Sequence, residues 1–167
     1  EPIGSIVRKA VGKDTEQMHV ILGVPGLGQD DDDMYVLHIL NNILGGGLSS
    51  RLFQEIREQR GLAYSVYSYH STFLDTGLFA VYAGTSPSKT EEVIKCILRE
   101  MNTIKRDGIT EEELKRTKAQ IKGNLLLGLE SVSSRMNRLG KTELAFGRVK
   151  TAEEAVEKLE KVTLNDV

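Results

Sequence analysis

Cysteine is nearly absent. The single Cys96 in 167 residues excludes an internal disulfide and fits a reducing compartment. It sits among apolar residues at helical spacing, where a small core side chain is expected. Long apolar runs are missing too: none approaches the roughly 20 residues of a membrane span. Charge of one sign is also lacking. With 22 Lys and Arg against 24 Asp and Glu, the net charge of -2 gives no electrostatic case for nucleic acid or an anionic membrane. No basic-then-apolar leader opens the chain, so no signal peptide is expected. Glu1-Pro2 stands where a starting Met would be, which suggests a processed or trimmed chain.

The motifs of hydrolytic chemistry are absent as well. Neither H-E-x-x-H nor H-x-x-E-H occurs. His38-Ile39-Leu40-Asn41-Asn42 has the spacing of the second, with Asn in place of the Glu and the second His. Neutral Asn is a poor zinc ligand and no general base. His19, His38 and His70 are therefore expected to be packing residues, and no metal ligand is expected in this chain. No Gly-x-Ser-x-Gly elbow and no Cys/His pairing offers a nucleophile. Acidic runs such as Glu111-Glu112-Glu113 read as solvated or helix-start charges.

What is present reads as one soluble globular domain, 40% hydrophobic and 28% charged, long enough to bury a core. Residues 15–24 read as a buried strand ending at Pro25-Gly26. Asp30 to Asp33 lead into a helix from Met34 to Leu44; a calcium loop would need a ligand alternation and a central glycine that are missing. Gly45-Gly46-Gly47 follows a helix and precedes no Gly-Lys-Ser/Thr, so it reads as a flexible joint and not a phosphate loop. Leu48, Leu52, Phe53 and Ile56 then form a helical stripe. Strands near 62–71 and 77–84 make a hairpin whose tyrosines pack across strands.

The rest is helical. Capping boxes are expected at Ser88-x-x-Glu91, Thr110-x-x-Glu113 and Thr151-x-x-Glu154. Gly108 stops one helix, and a helix over 131–146 is expected to be broken at Gly140 and Gly147. Thr163-x-x-Asp166 looks like the start of another. A chain stopping there is expected to be a domain truncated at its C-terminus. The order gives α+β: a mostly antiparallel sheet with helices on one face.

Arg57 and Tyr64 flank the Gly61 turn. Arg57 nears a helix end, where a cation complements the dipole. Gly61 can take the left-handed conformation that turns the chain back, and Tyr64 begins the next strand. A guanidinium and a phenol converging there suit a peptide carbonyl or the oxyanion of a tetrahedral intermediate. A structural Arg and a packed Tyr explain the same residues equally well.

Residues 44–66, from Leu44-Gly45-Gly46-Gly47 through Arg57 to Tyr64-Ser65-Val66, resemble the signature of the second domain of pitrilysin-type zinc metallopeptidases, in the branch of the mitochondrial processing peptidase. Gln17-Met18-His19-Val20, Asp107-Gly108-Ile109-Thr110 and Ser134-Arg135-Met136-Asn137 extend the resemblance over nearly the whole chain. It implies a metallopeptidase half-domain, here lacking its closing strand, which would favour self-association into a homo-oligomer. It implies zinc in an upstream partner domain, on the same chain or a partner subunit. It implies an unfolded peptide or presequence as substrate. By the same resemblance Tyr64 bonds the carbonyl near the scissile bond, and Arg57 holds substrate or oxyanion. The chain alone is expected to be inactive; the alternative is an inactive homologue acting as a binding or assembly subunit. A bacterial source implies the cytoplasm, a eukaryotic one the mitochondrial matrix.

Overall fold

Alternation places Val20, Leu22 and Val24 on one face of the first strand and His19 and Ile21 on the other. In a computed structural model, which describes residues 7–11 and 16–167, this strand is β1, Met18–Gly26. Glu1-Pro2 and Thr15 lie outside the described residues. β1 does not end before Pro25-Gly26: Pro25 pairs with Leu78 and Gly26 with Gly77. Proline is tolerated there because β1 is an edge strand. The hairpin strands are β2 (Ala63–Thr72) and β3 (Gly77–Thr85), and the antiparallel order is β1-β3-β2.

Helices cover one face of this sheet. They are α1 (Met34–Gly45), α2 (Thr90–Asp107), α3 (Glu111–Gly128), α4 (Val132–Phe146) and α5 (Ala152–Lys161). Between α1 and β2 a helical stretch widens to a π-helix over Phe53–Gln59. Leu37, Leu44, Leu52, Ile56, Phe79, Val81, Val93 and Ile97 form the main core, with Cys96 among them. Ile39, Ile43, Leu114 and Leu159 form a second cluster joining α1 to α3 and α5. The opposite sheet face carries Tyr67 stacked on its cross-strand partner Tyr82, ring centroids 4.9 Å apart. No helix among the described residues is long and apolar enough to cross a membrane.

Several local expectations are corrected. Gly45 is no flexible joint. It is the buried last residue of α1, and a Cβ there would stand 2.2 Å from the Ser68 backbone nitrogen. Leu48 leaves the helical stripe and is 73% exposed, because the helix starts only at residue 51. The Ser88–Glu91 box does not form. Pro87 opens a tight 3-10 turn over Pro87–Lys89, α2 starts at Thr90, and Glu91 pairs with Lys95 instead. Gly140 does not break α4, since one exposed glycine weakens a helix without ending it. The boxes at Thr110 and Thr151 both close, and Gly108 and Gly147 stop their helices at φ of 70° and 64°. Of the aspartates, Asp31 accepts from the Asp33 backbone N–H, so this run makes a local turn and Asp33 gives no side-chain cap.

Glu113 is more than a solvated helix-start charge. Its oxygens take two 2.7 Å hydrogen bonds from Arg51, and Oε2 also accepts from the Thr110 N–H. The Arg51 hydrogen bonds, then the Thr110 N–H, outweigh burial and hold its carboxyl down at about 2. The pair ties the turn that leads into the π-helix to α3 across 62 residues. A depressed carboxyl stabilises the fold above its unfolded value and loses that contribution as pH falls from 4.5 through about 2. Glu113→Gln keeps a capping oxygen but removes the charge. It should cost on the order of 2 kcal/mol at pH 7, and the gap to the parent should close by about pH 2 in acid denaturation.

Candidate functional site

Arg57 and Tyr64 meet because the chain reverses within a few residues. Gly61 adopts φ of 58°, its N–H donates to the Arg57 carbonyl at 3.1 Å, and the Leu62 N–H donates to Ile56 at 2.8 Å. Two residues from outside the turn clamp it. Lys89 Nζ donates to the Gly61 carbonyl at 3.0 Å, and buried Thr85 Oγ1 donates to the Leu62 carbonyl at 2.6 Å. The register then slips between Ala63 and Ser65, which leaves Tyr64 outside the β2–β3 pairing. That irregularity turns the ring outward, and Tyr64 is 80% exposed.

The Arg57 guanidinium carbon sits 5.2 Å from the Tyr64 ring centroid and 4.9 Å from that of Phe53. Both are cation–π contacts. Glu55, the nearby carboxylate that could have neutralised it, is taken by Arg60 and Arg99. Among the described residues Arg57 keeps only a 4.0 Å contact with the carboxylate of its exposed neighbour Glu58. The Tyr64 hydroxyl has no hydrogen-bond partner among the described residues. Both side chains line a cleft of about 510 Å³ with Gln17, Tyr82, Thr85 and Lys89. The Arg57 guanidinium and a phenol without a hydrogen-bond partner among the described residues thus face the same space, whose wall also carries Glu16 and the Lys89 that clamps Gly61. The sequence singled out this pair, but Lys89 and Thr85 were missed. They act from 28 and 23 residues away, where no local pattern could point to them.

The histidines divide. His19 Nδ1 shares a 2.8 Å hydrogen bond with the Tyr82 hydroxyl. His38 and His70 pack edge to face, centroids 4.7 Å apart. His70 Nδ1 and Asn41 Oδ1 are buried without a partner among the described residues. Burial first, then the neighbouring His70, pushes the His38 imidazole down to about 4; burial lowers His70 as well. Zinc needs three or four donors, and no group of three His, Cys, Asp or Glu among the described residues could hold a metal. A lowered imidazole leaves the unfolded chain binding more protons, so stability falls as pH drops from 6.5 through about 4. His38→Gln should remove about 2 kcal/mol of that loss, read from urea unfolding at pH 7 and pH 4.5.

Comparison with known proteins follows the same outline. The family model of the peptidase M16 inactive domain matches residues 1–121. An uncharacterized zinc protease of Streptomyces coelicolor is 48% identical over 94% of this chain and 34% of its own length. Another, from Bacillus subtilis, is 48% identical over 93% of this chain and 38% of its own length. The chain thus spans little more than a third of these relatives. The crystal structure of a peptidase M16 inactive domain from Pseudomonas fluorescens matches with a TM-score of 0.83 at 26% identity, over 91% of this chain and 36% of that one. A protease from Helicobacter pylori gives 0.82 at 25% identity, over 91% and 37%.

Proposed function

This chain belongs to the peptidase M16 inactive-domain family, and from that premise we propose that it cradles the peptide substrate of a zinc-dependent endopeptidase. Arg57 and Tyr64 contact the substrate backbone. The metal and the general base belong to an upstream zinc-binding domain, on the same polypeptide or a partner subunit. Tyr64 donates its hydroxyl to the carbonyl of the scissile region, a bond that tightens as that oxygen gains negative charge. Arg57 supplies the fixed charge that favours an oxyanion over a neutral carbonyl.

The observation that carries this reading is a phenol without a hydrogen-bond partner among the described residues, 5.2 Å from ring to cation beside a guanidinium held only by a 4.0 Å contact with Glu58 among those residues, on one open cleft. The uncovered sheet face supports it: Tyr82 lines the cleft and stacks on Tyr67, so the cleft opens toward an aromatic surface suited to an extended chain. The test joins this chain to its zinc domain, supplies zinc and compares peptide cleavage with Arg57→Ala and Tyr64→Phe. Unchanged rates in both sink the assigned roles.

A second reading, a binding or assembly subunit, draws on α4, where Val132, Met136 and Leu144 stand exposed. Full cleavage by both variants with the assembly intact would favour it.

A further inference from the structure

A second cavity, of about 230 Å³, shares no residue with the Arg57–Tyr64 cleft. Its walls come from α1, β2, α4, α5 and the segment between the last two helices. Three cations line it, one from each of three segments: Arg138, Lys150 and Lys158. The acids on its wall are Asp30 and Asp31. Asp30 is committed to Lys150 at 3.3 Å, and Asp31 accepts from the Asp33 backbone N–H. Even with both carboxylates counted, positive charge is in excess.

The donors are also underused. Arg138 gives one nitrogen to the carbonyls of Lys150 and Thr151, and its other N–H groups have no partner among the described residues. Lys158 lies 6.0 Å from the Tyr35 ring; its charge acts on Glu154 one turn earlier, but the two form no ion pair within 4.0 Å among the described residues. His38 and His70 add two imidazoles that lack hydrogen bonds to described residues, although His70 Nδ1 is buried. Polar groups gathered in this way call for a partner that can accept from several directions.

We propose that this cavity binds a small tetrahedral oxyanion, either free phosphate or the phosphoryl group of a small phosphomonoester. A metal cation fits poorly: three fixed positive charges line the same cavity as the two imidazoles, and the carboxylates are spoken for. A phosphoryl group offers acceptors on every side and negative charge to offset Arg138 and Lys158. His38 packs against Tyr35 and His70, and Arg138, Lys158, Asp30 and Asp31 line the same cavity. An anion placed among them favours the imidazolium, so binding should be accompanied by proton uptake.

The test follows histidine Cε1–H resonances of the whole chain at pH 6.5 during titration with sodium phosphate or glycerol phosphate, against sodium chloride at equal ionic strength. Saturable movement of His38 and His70 with His19 unmoved is the expected result. Calorimetry in two buffers of different ionisation enthalpy should show protons taken up. Lys158→Gln, a surface change, should weaken binding about tenfold, and Arg138→Gln more. A response to phosphate but not to glycerol phosphate identifies the free ion; a response to both identifies the phosphoryl group. Resonances that move equally with chloride overturn the proposal. So does selective broadening of both histidines by Co²⁺ with no response to phosphate, which would mark a cation site.

Discussion

Tyr64→Phe should lower the turnover of peptide by the zinc-loaded two-domain assembly roughly a hundredfold, with little change in KM. The substitution removes one O–H and leaves the ring. Arg57 keeps its stack on residues 53 and 64, and the 80% exposed position places no packing at risk. A donor aimed at an oxyanion counts mainly in the transition state, so the loss belongs in kcat. Arg57→Ala removes both a charge and its contacts with two rings, and it should reduce kcat by a similar factor while raising KM. Arg57→Lys should recover only part of the activity, because an ammonium does not reproduce a planar guanidinium in contact with two rings. If the phenol merely steadies the bound peptide, Tyr64→Phe will raise KM and leave kcat alone.

Gly45→Ala should be among the most damaging single methyls in the fold. The added carbon would sit 2.2 Å from the Ser68 nitrogen and 2.7 Å from its hydroxyl oxygen, so α1 must retreat from β2. Ser68 also donates to the Asn41 carbonyl of α1 at 2.9 Å, and the retreat would break that bond. Overpacking on this scale costs about 3 kcal/mol. For a domain of this length that corresponds to a drop of roughly 10 °C in Tm. Gly47→Ala is the control. Its new methyl would meet only Gln120 Nε2, at 3.4 Å. A flexible joint would tolerate alanine at 45 and 47 alike, and calorimetry of the two variants separates that case from a helix pressed on a strand.

The contrast between these glycines shows where the sequence was readable. Signals spanning a few residues held: the boxes at Thr110 and Thr151, the stops at Gly108 and Gly147, and the Gly61 turn that joins Arg57 to Tyr64. Each is decided by backbone groups within one turn of helix. The local readings that failed met a local competitor or a distant wall. Pro87 preset a tighter turn and displaced the expected cap, and Ser68, 23 positions on, decided what Gly45 does. Arg51 with Glu113 and His38 with His70 are partners that only the tertiary fold brings together. At the cleft, the two outward-facing residues were legible and their supports, Thr85 and Lys89, were not.

The two ladders of the sheet close loops of very different length. Four residues, 73–76, join β2 to β3, whereas fifty, 27–76, separate β1 from the same central strand. Closure entropy grows with the logarithm of that length, about 0.6 kcal/mol per doubling. The hairpin is therefore the early event in folding, and β1 docks after the helices have gathered. Until it does, β3 presents one bare edge along the run Phe79–Ala83, which is buried in the finished molecule apart from Tyr82. Nascent chains are most prone to pair with one another in that interval. Changes in β1 will act chiefly on the rate at which the native state opens, and changes in the hairpin on the rate at which it forms.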